Sequence, residues 1–155
     1  MQHRMFALII IITTAAAIVG AGTPAAADPK PDDAVEYRQG MMMGIGWNVS
    51  PMGAMVKGKI PFDRDQFAFF AGRAALLAPM ALEGFTPNTA DTKSEAKPKL
   101  WLHLDDFKKR IKDLEEATAK LASVAKGGDE AAMKQQFGDT FKVCKGCHDE
   151  YQKKH

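Results

Sequence analysis

Cys144, Cys147 and His148 are the residues of this sequence whose types and spacing carry redox chemistry. They lie in the run Cys-Lys-Gly-Cys-His at residues 144–148. Two thiols followed directly by an imidazole form the attachment pattern of c-type haem, in which the thiols add to the haem vinyl groups and the imidazole binds iron. In a helix, positions i, i+3 and i+4 share one face, so the three side chains would meet one flat macrocycle. The run predicts one haem c, covalently held through both cysteines, with His148 as axial iron ligand.

Three other interpretations of the two cysteines stay open. A thioredoxin-like dithiol pair follows a strand and opens a helix, but no strand pattern precedes residue 144. A zinc site needs four ligands, and only His155 lies close enough in sequence to complete one with the motif. A structural disulfide between Cys144 and Cys147 would close a very small loop. The complete pentapeptide therefore favours haem.

The N-terminus has the pattern of a secretory signal peptide. Positive charge precedes residue 5, an apolar run covers residues 6–20, and three alanines at residues 25–27 suit a signal peptidase. The apolar run is shorter than the roughly 20 residues that a membrane span requires. We therefore expect residues 1–27 to be cleaved, leaving residues 28–155 as one exported domain with no membrane anchor.

Charge and cysteine content exclude other classes. The chain has 21 Lys and Arg against 19 Asp and Glu, a formal net charge of +2, without a strongly basic stripe. Nucleic-acid binding through counterion release needs such a stripe, so no nucleic-acid partner is predicted. Both cysteines belong to the motif, which leaves none for a disulfide framework.

Apolar residues recur at helical spacing in four stretches separated by turn residues. A long polar crossover, expected to be irregular, covers residues 86–98. Four amphipathic helices with short connections predict an all-α, antiparallel up-down-up-down four-helix bundle that encloses the haem. The predicted helices, the second interrupted at Pro79, cover residues 31–57, 63–85, a stripe at 107–125, and 129–151.

The residue opposite His148 on the iron is harder to predict. His103 lies at the expected start of the third helix, where a surface or partly buried histidine is the favoured interpretation. Methionine is the other common sixth ligand of haem iron. Methionines at helical spacing are usually core filler, so the methionine content alone says little.

Several motifs together resemble the cytochrome c′ family, over essentially the whole of residues 28–155. They are Val35-Glu36-Tyr37-Arg38-Gln39, Lys57-Gly58, Phe85-x-Pro87, Ala96-Lys97-Pro98-x-x-Trp101 and the closing Cys144-Lys-x-Cys147-His148-Asp149-x-Tyr151. The resemblance implies a periplasmic haem bundle. It also implies an apolar distal pocket open to nitric oxide and carbon monoxide, and homodimers formed through the first two helices.

The resemblance also implies roles for individual residues around the haem. Cys144 and Cys147 would hold the haem and His148 would bind its iron. The remaining cofactor contacts are Arg38 and Gln39 by the propionates, Met42 over the distal face, Phe85 against the ring, and Ser94 and Glu95 at the haem edge. One position departs from the family, which commonly has a basic residue where this chain has Gln152.

The role of Met42 distinguishes two possible functions. If its sulfur binds iron, the protein is a six-coordinate electron carrier; if it only packs, the iron is five-coordinate and can take nitric oxide or carbon monoxide. We expect one-electron transfer, with gas binding against nitrosative stress as the alternative, and no enzymatic activity.

Two surface patterns suggest partners. Trp47 and Phe69 lie outside the apolar stripes of their helices, which suggests that they belong to a dimer surface. Four lysines around the motif suggest a rim for an acidic redox partner. They are Lys142, Lys145, Lys153 and Lys154.

Overall fold

The computed structural model describes residues 29–154, so the expected signal peptide at residues 1–27 and the terminal His155 lie outside the described residues. The described part is helical. Its elements are α1 (Pro31–Val56), α2 (Arg64–Leu77), α3 (Lys99–Leu102), α4 (Leu104–Lys126) and α5 (Glu130–Tyr151), with 3₁₀ helices at Ala78–Leu82 and Pro87–Thr89.

Local sequence explains where the long helices begin. Helix α1 starts at Pro31, whose missing N–H is harmless in a first turn, with two aspartates following it. Asp63 caps α2 by accepting a hydrogen bond from the Gln66 backbone N–H at 2.9 Å, and the Gln66 side chain reaches back to it at 3.1 Å. Both hydrogen bonds go to the Asp63 carboxylate, so Asp63 is the N-cap of α2, but the pair does not form the reciprocal bonds of a capping box. Asp129 caps α5 in the same way through the Ala132 N–H at 2.7 Å.

The four long helices form the predicted antiparallel bundle. Helix α1 packs on α2, α2 on α4, and α4 on α5. Going around the bundle, the fourth pair of neighbouring long helices is α1 and α5. This pair is in less extensive contact than the other three. The bundle is therefore open on the side between α1 and α5, and the cysteine motif lies on α5.

The buried core has two clusters along the bundle. One surrounds Phe67 and Met52, and the other surrounds Phe107 and Ile111. The two cysteines pack against the second cluster, whose buried members are Ile45, Ala78, Ala81, Leu100, Phe107, Ile111, Leu114 and Tyr151.

One predicted boundary differs from the structure. The second helix was expected to reach residue 85 with an interruption at Pro79; α2 ends at Leu77 and continues as a 3₁₀ helix, because Pro79 cannot donate a backbone hydrogen bond. Helix α4 begins directly after His103, where the third helix was expected to start, and the short α3 before it was not predicted. The φ of −126° and ψ of 44° of His103 separate α3 from α4. Helix α1, by contrast, runs through Pro51 unbroken.

The crossover is pinned to the end of α5. The Lys97 N–H donates to the Tyr151 carbonyl at 2.8 Å, and the Lys153 N–H donates to the Glu95 carbonyl at 2.8 Å. Between them Ala96 and Gln152 form an isolated antiparallel bridge. These bonds hold the crossover beside the last turns of α5.

None of the helices described between residues 29 and 154 combines the length and apolar character needed to cross a bilayer.

Candidate haem-binding site

Cys144, Cys147 and His148 lie together in the last two turns of α5, as predicted. Both thiols are half-buried, and His148 is at the surface of the open side of the bundle. Burial raises the pKa of both cysteine thiols. Desolvation lowers the pKa of His148, against a smaller opposing effect of Asp149. A lowered pKa favours the neutral imidazole, which is the form that binds metal.

Two hollows flank His148 on the open side of the bundle. The α4-side hollow has a volume of about 350 Å³, and its walls include Ile45, Ile111 and Leu114. The crossover-side hollow has a volume of about 450 Å³, and its walls include Phe85 and Phe107. Three residues line both hollows: Met42, Cys147 and His148. The two hollows thus meet at the motif.

Arg38 is a buried cation at the crossover-side hollow, with only 3% of its surface exposed. Its Nη1 donates to Thr89 Oγ1 at 2.8 Å and its Nη2 to Ser94 Oγ at 2.8 Å. The guanidinium lies 4.7 Å from the centre of the Phe85 ring. Burial lowers its pKa. None of the ion pairs found within residues 29–154 includes Arg38.

Helix α4 brings a second arginine to the α4-side hollow. Arg110 Nε donates to Asp106 Oδ2 at 2.7 Å, and the Tyr151 hydroxyl donates to the same oxygen at 2.6 Å. Arg110 Nη1 also donates to the Gly146 carbonyl at 3.3 Å, inside the motif. The pKa of Asp106 is lowered, first by the Tyr151 hydrogen bond and then by Arg110. The hydrogen bond from Arg110 to Asp106 raises the pKa of the guanidinium.

The structure brings together every residue that sequence reasoning assigned to the site. Cys144 lines the α4-side hollow, and eight others line the crossover-side hollow: Arg38, Gln39, Met42, Phe85, Ser94, Glu95, Cys147 and His148. Gln152 lines the crossover-side hollow as well. His103 is exposed and lines neither hollow.

The lysines near the motif are less available than the sequence suggested. Lys142 pairs with Asp139 at 2.8 Å, and Lys145 pairs with Asp149. Lys153 Nζ donates to the Ser94 carbonyl at 2.7 Å. Nearby carboxylates offset part of the positive charge on which the predicted docking rim depends.

Sequence reasoning missed Arg110, Asp106 and Thr89. Arg110 lies three residues after Phe107 and four before Leu114, so helical spacing places it beside the buried stripe of α4. Helical spacing could therefore have indicated Arg110 as a site residue. No sequence pattern indicated Thr89, because its partner Arg38 is 51 residues away in sequence.

The residues present fit a covalently bound haem. The motif supplies two thiols and a neutral imidazole on one helix face, and the hollows beside it are largely apolar. Arg38 supplies a buried guanidinium that suits a carboxylate such as a propionate. Within residues 29–154 no three His, Cys, Asp or Glu side chains come together as a site for a bare metal ion.

Comparisons with known proteins show the family of the chain. Cytochrome c′ of Halomonas halodenitrificans is 35% identical over 128 residues, which cover 79% of this chain and 97% of that protein. The structure of cytochrome c prime from Shewanella frigidimarina has a TM-score of 0.79 at 40% identity, covering 83% of this chain and 100% of that one. A nitric oxide complex of a cytochrome c prime variant from Alcaligenes xylosoxidans has a TM-score of 0.76 at 31% identity, covering 83% and 100%. A family model described as cytochrome C′ matches residues 33–152, and the chain belongs to the cytochrome c′ family.

Proposed function

We propose that this protein is a periplasmic one-electron carrier, in which Cys144 and Cys147 hold haem c and His148 binds its iron. The placement of all three groups on one face of α5, at the junction of two apolar hollows, carries the proposal. Haem c is the cofactor of the family to which the chain belongs. When bound, it supplies an iron that alternates between the ferric and ferrous states.

The residues around the motif have distinct tasks in this proposal. His148 would bind iron through a nitrogen lone pair of its neutral imidazole, which a lowered pKa favours. Ile45, Ile111 and Leu114 give the α4-side hollow an apolar wall, and an apolar environment around a redox centre influences its potential. Arg38 would hold a propionate, because its buried charge makes no ion pair within residues 29–154.

Gas binding is the second candidate function, and it rests on Met42. A relative of 31% identity has been solved as a nitric oxide complex. Met42 is half-buried and lines both hollows beside His148, where it can either bind iron or pack against the cofactor. A packed Met42 leaves the sixth position open to nitric oxide or carbon monoxide.

Two measurements test these proposals. The intact mass of the exported protein should equal that of residues 28–155 plus one haem, and C144A/C147A should lose the covalent haem. An unmodified mass, without haem, would contradict the proposed function. A full-length mass with haem attached would contradict only cleavage after residue 27.

The absorption spectrum of the oxidised protein distinguishes the two functions. A weak far-red band from sulfur-to-iron ligation, lost in M42L, would establish a six-coordinate electron carrier. Its absence, together with a spectral change of the reduced protein under carbon monoxide, would establish the gas-binding form. M52L is the matched control, because Met52 is buried in the other core cluster.

We also propose that the protein forms a homodimer through α1 and α2. Trp47 is 75% exposed on α1 and Phe69 is 57% exposed on α2. Met43 and Leu76, on the same two helices, are 73% and 72% exposed. Large apolar side chains with this exposure support an interface between copies of the chain.

A further inference from the structure

Asp106, Arg110 and Tyr151 form a charged cluster against the haem attachment motif. Asp106 Oδ2 accepts hydrogen bonds from Arg110 Nε at 2.7 Å and from the Tyr151 hydroxyl at 2.6 Å. The guanidinium also lies 5.6 Å from the centre of the Tyr151 ring. One carboxylate thus holds a cation from α4 and a phenol from α5 in a fixed arrangement.

The cluster is in contact with the motif itself. Arg110 Nη1 donates to the carbonyl of Gly146, the residue directly before Cys147, at 3.3 Å. Arg110 also lines the α4-side hollow together with Cys147 and His148. Its side chain is 34% exposed, so water screens its charge only in part.

Both charges lie beside the segment that would carry haem. Arg110 contacts the Gly146 carbonyl and lines the α4-side hollow. Asp106 is held between Arg110 and Tyr151, and Tyr151 lines the crossover-side hollow. The pair therefore places a cation and an anion next to the same part of the motif.

We propose that Arg110 and Asp106 are a pair of residues that set the reduction potential of the bound haem in opposite directions. Reduction adds an electron to the cofactor, so a fixed cation nearby stabilises the ferrous state and a fixed anion stabilises the ferric state. Arg110 raises the potential and Asp106 lowers it. Tyr151 holds Asp106 in position and moderates its charge through the hydrogen bond.

Other charged groups at the hollows fit this role less well. Lys145 lines the α4-side hollow, but its side chain is 65% exposed and paired with Asp149, so solvent screens it more strongly than Arg110. Arg38 is buried at the crossover-side hollow and suits a propionate carboxylate. Arg110 is the arginine in contact with the attachment segment.

The role of Arg110 and Asp106 rests on the proposed electron-carrier function. The experiment distinguishes a failure of the one from a failure of the other. Covalent haem is assayed first in the wild-type protein; if none is attached, both proposals fall. With haem present, midpoint potentials are measured for the R110Q, R110K and D106N holoproteins. Arg64→Gln and Asp105→Asn are matched controls, since Arg64 is an exposed residue of α2 and Asp105 is the exposed neighbour of Asp106.

We expect R110Q to decrease the equilibrium constant for haem reduction severalfold and D106N to increase it severalfold. R110K and both controls should stay near the wild-type value. Both main variants break the same hydrogen bond, so a purely structural role would move both potentials in the same direction. Shifts of the same sign, or no shift in either variant, would overturn the proposal. If R110Q does not fold, the midpoint potential of D106N is the test. A potential above that of D105N would support the proposal, and a potential that is not higher would overturn it.

Discussion

Arg38 Nη2 donates a hydrogen bond to Ser94 Oγ at 2.8 Å, and this contact connects the N-terminal third of α1 to the crossover. Ser94 also accepts from the Ala96 N–H at 3.4 Å, next to the bridge between Ala96 and Gln152. A buried cation, a crossover residue and the end of α5 are thereby connected around one hollow. Removing the Ser94 hydroxyl should loosen this side of the site.

We expect S94A to lower the free energy of unfolding of the holoprotein by about 1–3 kcal/mol, because a buried charged donor loses its acceptor. Denaturant unfolding measures the change. S123A is the matched control, since Ser123 is exposed on α4 and should show a change near zero. Equal stability of S94A and S123A would mean that the Arg38–Ser94 hydrogen bond contributes nothing measurable.

Gly84 lies so close to α1 that a side chain would not fit. A Cβ at this position would be 2.5 Å from the Ala34 carbonyl oxygen and 2.7 Å from Arg38 Cβ. The Gly84 carbonyl also accepts a hydrogen bond from Arg38 Nη1 at 3.2 Å. We expect G84A to cost about 1–3 kcal/mol of unfolding free energy, since backbone must shift to make room.

G40A is the control for this prediction. A Cβ at Gly40 meets no atom within 4 Å, so alanine should stabilise α1 by up to about 1 kcal/mol. The two glycine substitutions should therefore change the melting temperature in opposite directions. A G84A protein as stable as wild type would show that α1 does not depend on this close approach.

Much of the bundle followed from local patterns. The predicted helix starts at residues 63 and 129 and the apolar stripe from Phe107 to Ala125 each depend on residues within a few turns, and each matches the structure to within one residue. The cysteine motif is equally local. Its placement on α5 could therefore be predicted without knowledge of the tertiary structure.

Long-range pairings could not be predicted in this way. Thr89 contacts Arg38 across 51 residues, and Tyr151 contacts Asp106 across 45 residues. Helical periodicity says which face of a helix is buried, but it does not say which helices become neighbours. The short helix α3 was also not predicted, because its four residues are too few to show a helical period.

Tyr151 should ionise at unusually high pH. Burial, followed by the hydrogen bond to Asp106, raises its pKa from 10.0 to about 12. In Y37F, Tyr151 is the remaining one of the two tyrosines, so tyrosinate absorbance reports it alone. We expect D106N in this background to lower that pKa in part, with D105N as control. A Tyr151 pKa near 10 in Y37F would contradict the effect of burial and of the Asp106 hydrogen bond.

The same shift predicts how stability depends on alkaline pH. A raised pKa in the folded state contributes stability that is fully present below the unfolded pKa of about 10, and this contribution disappears as the pH rises towards 12. The free energy of unfolding should therefore fall over this range in Y37F. The fall should be smaller in Y37F/Y151F, which lacks both tyrosine hydroxyls. Equal slopes in the two proteins would show that Tyr151 makes no such contribution.

Trp47 offers the most direct test of the proposed dimer. Its side chain is 75% exposed on α1, where a second copy of the chain would cover it. A carboxylate placed at the centre of an apolar interface loses its hydration without gaining a partner. We expect W47E to sediment as a monomer at concentrations at which wild type is dimeric. Lys112→Glu, on the exposed face of α4, should leave association unchanged. A monomeric wild-type holoprotein would contradict the dimer, and a dimeric W47E would place its interface elsewhere than on Trp47.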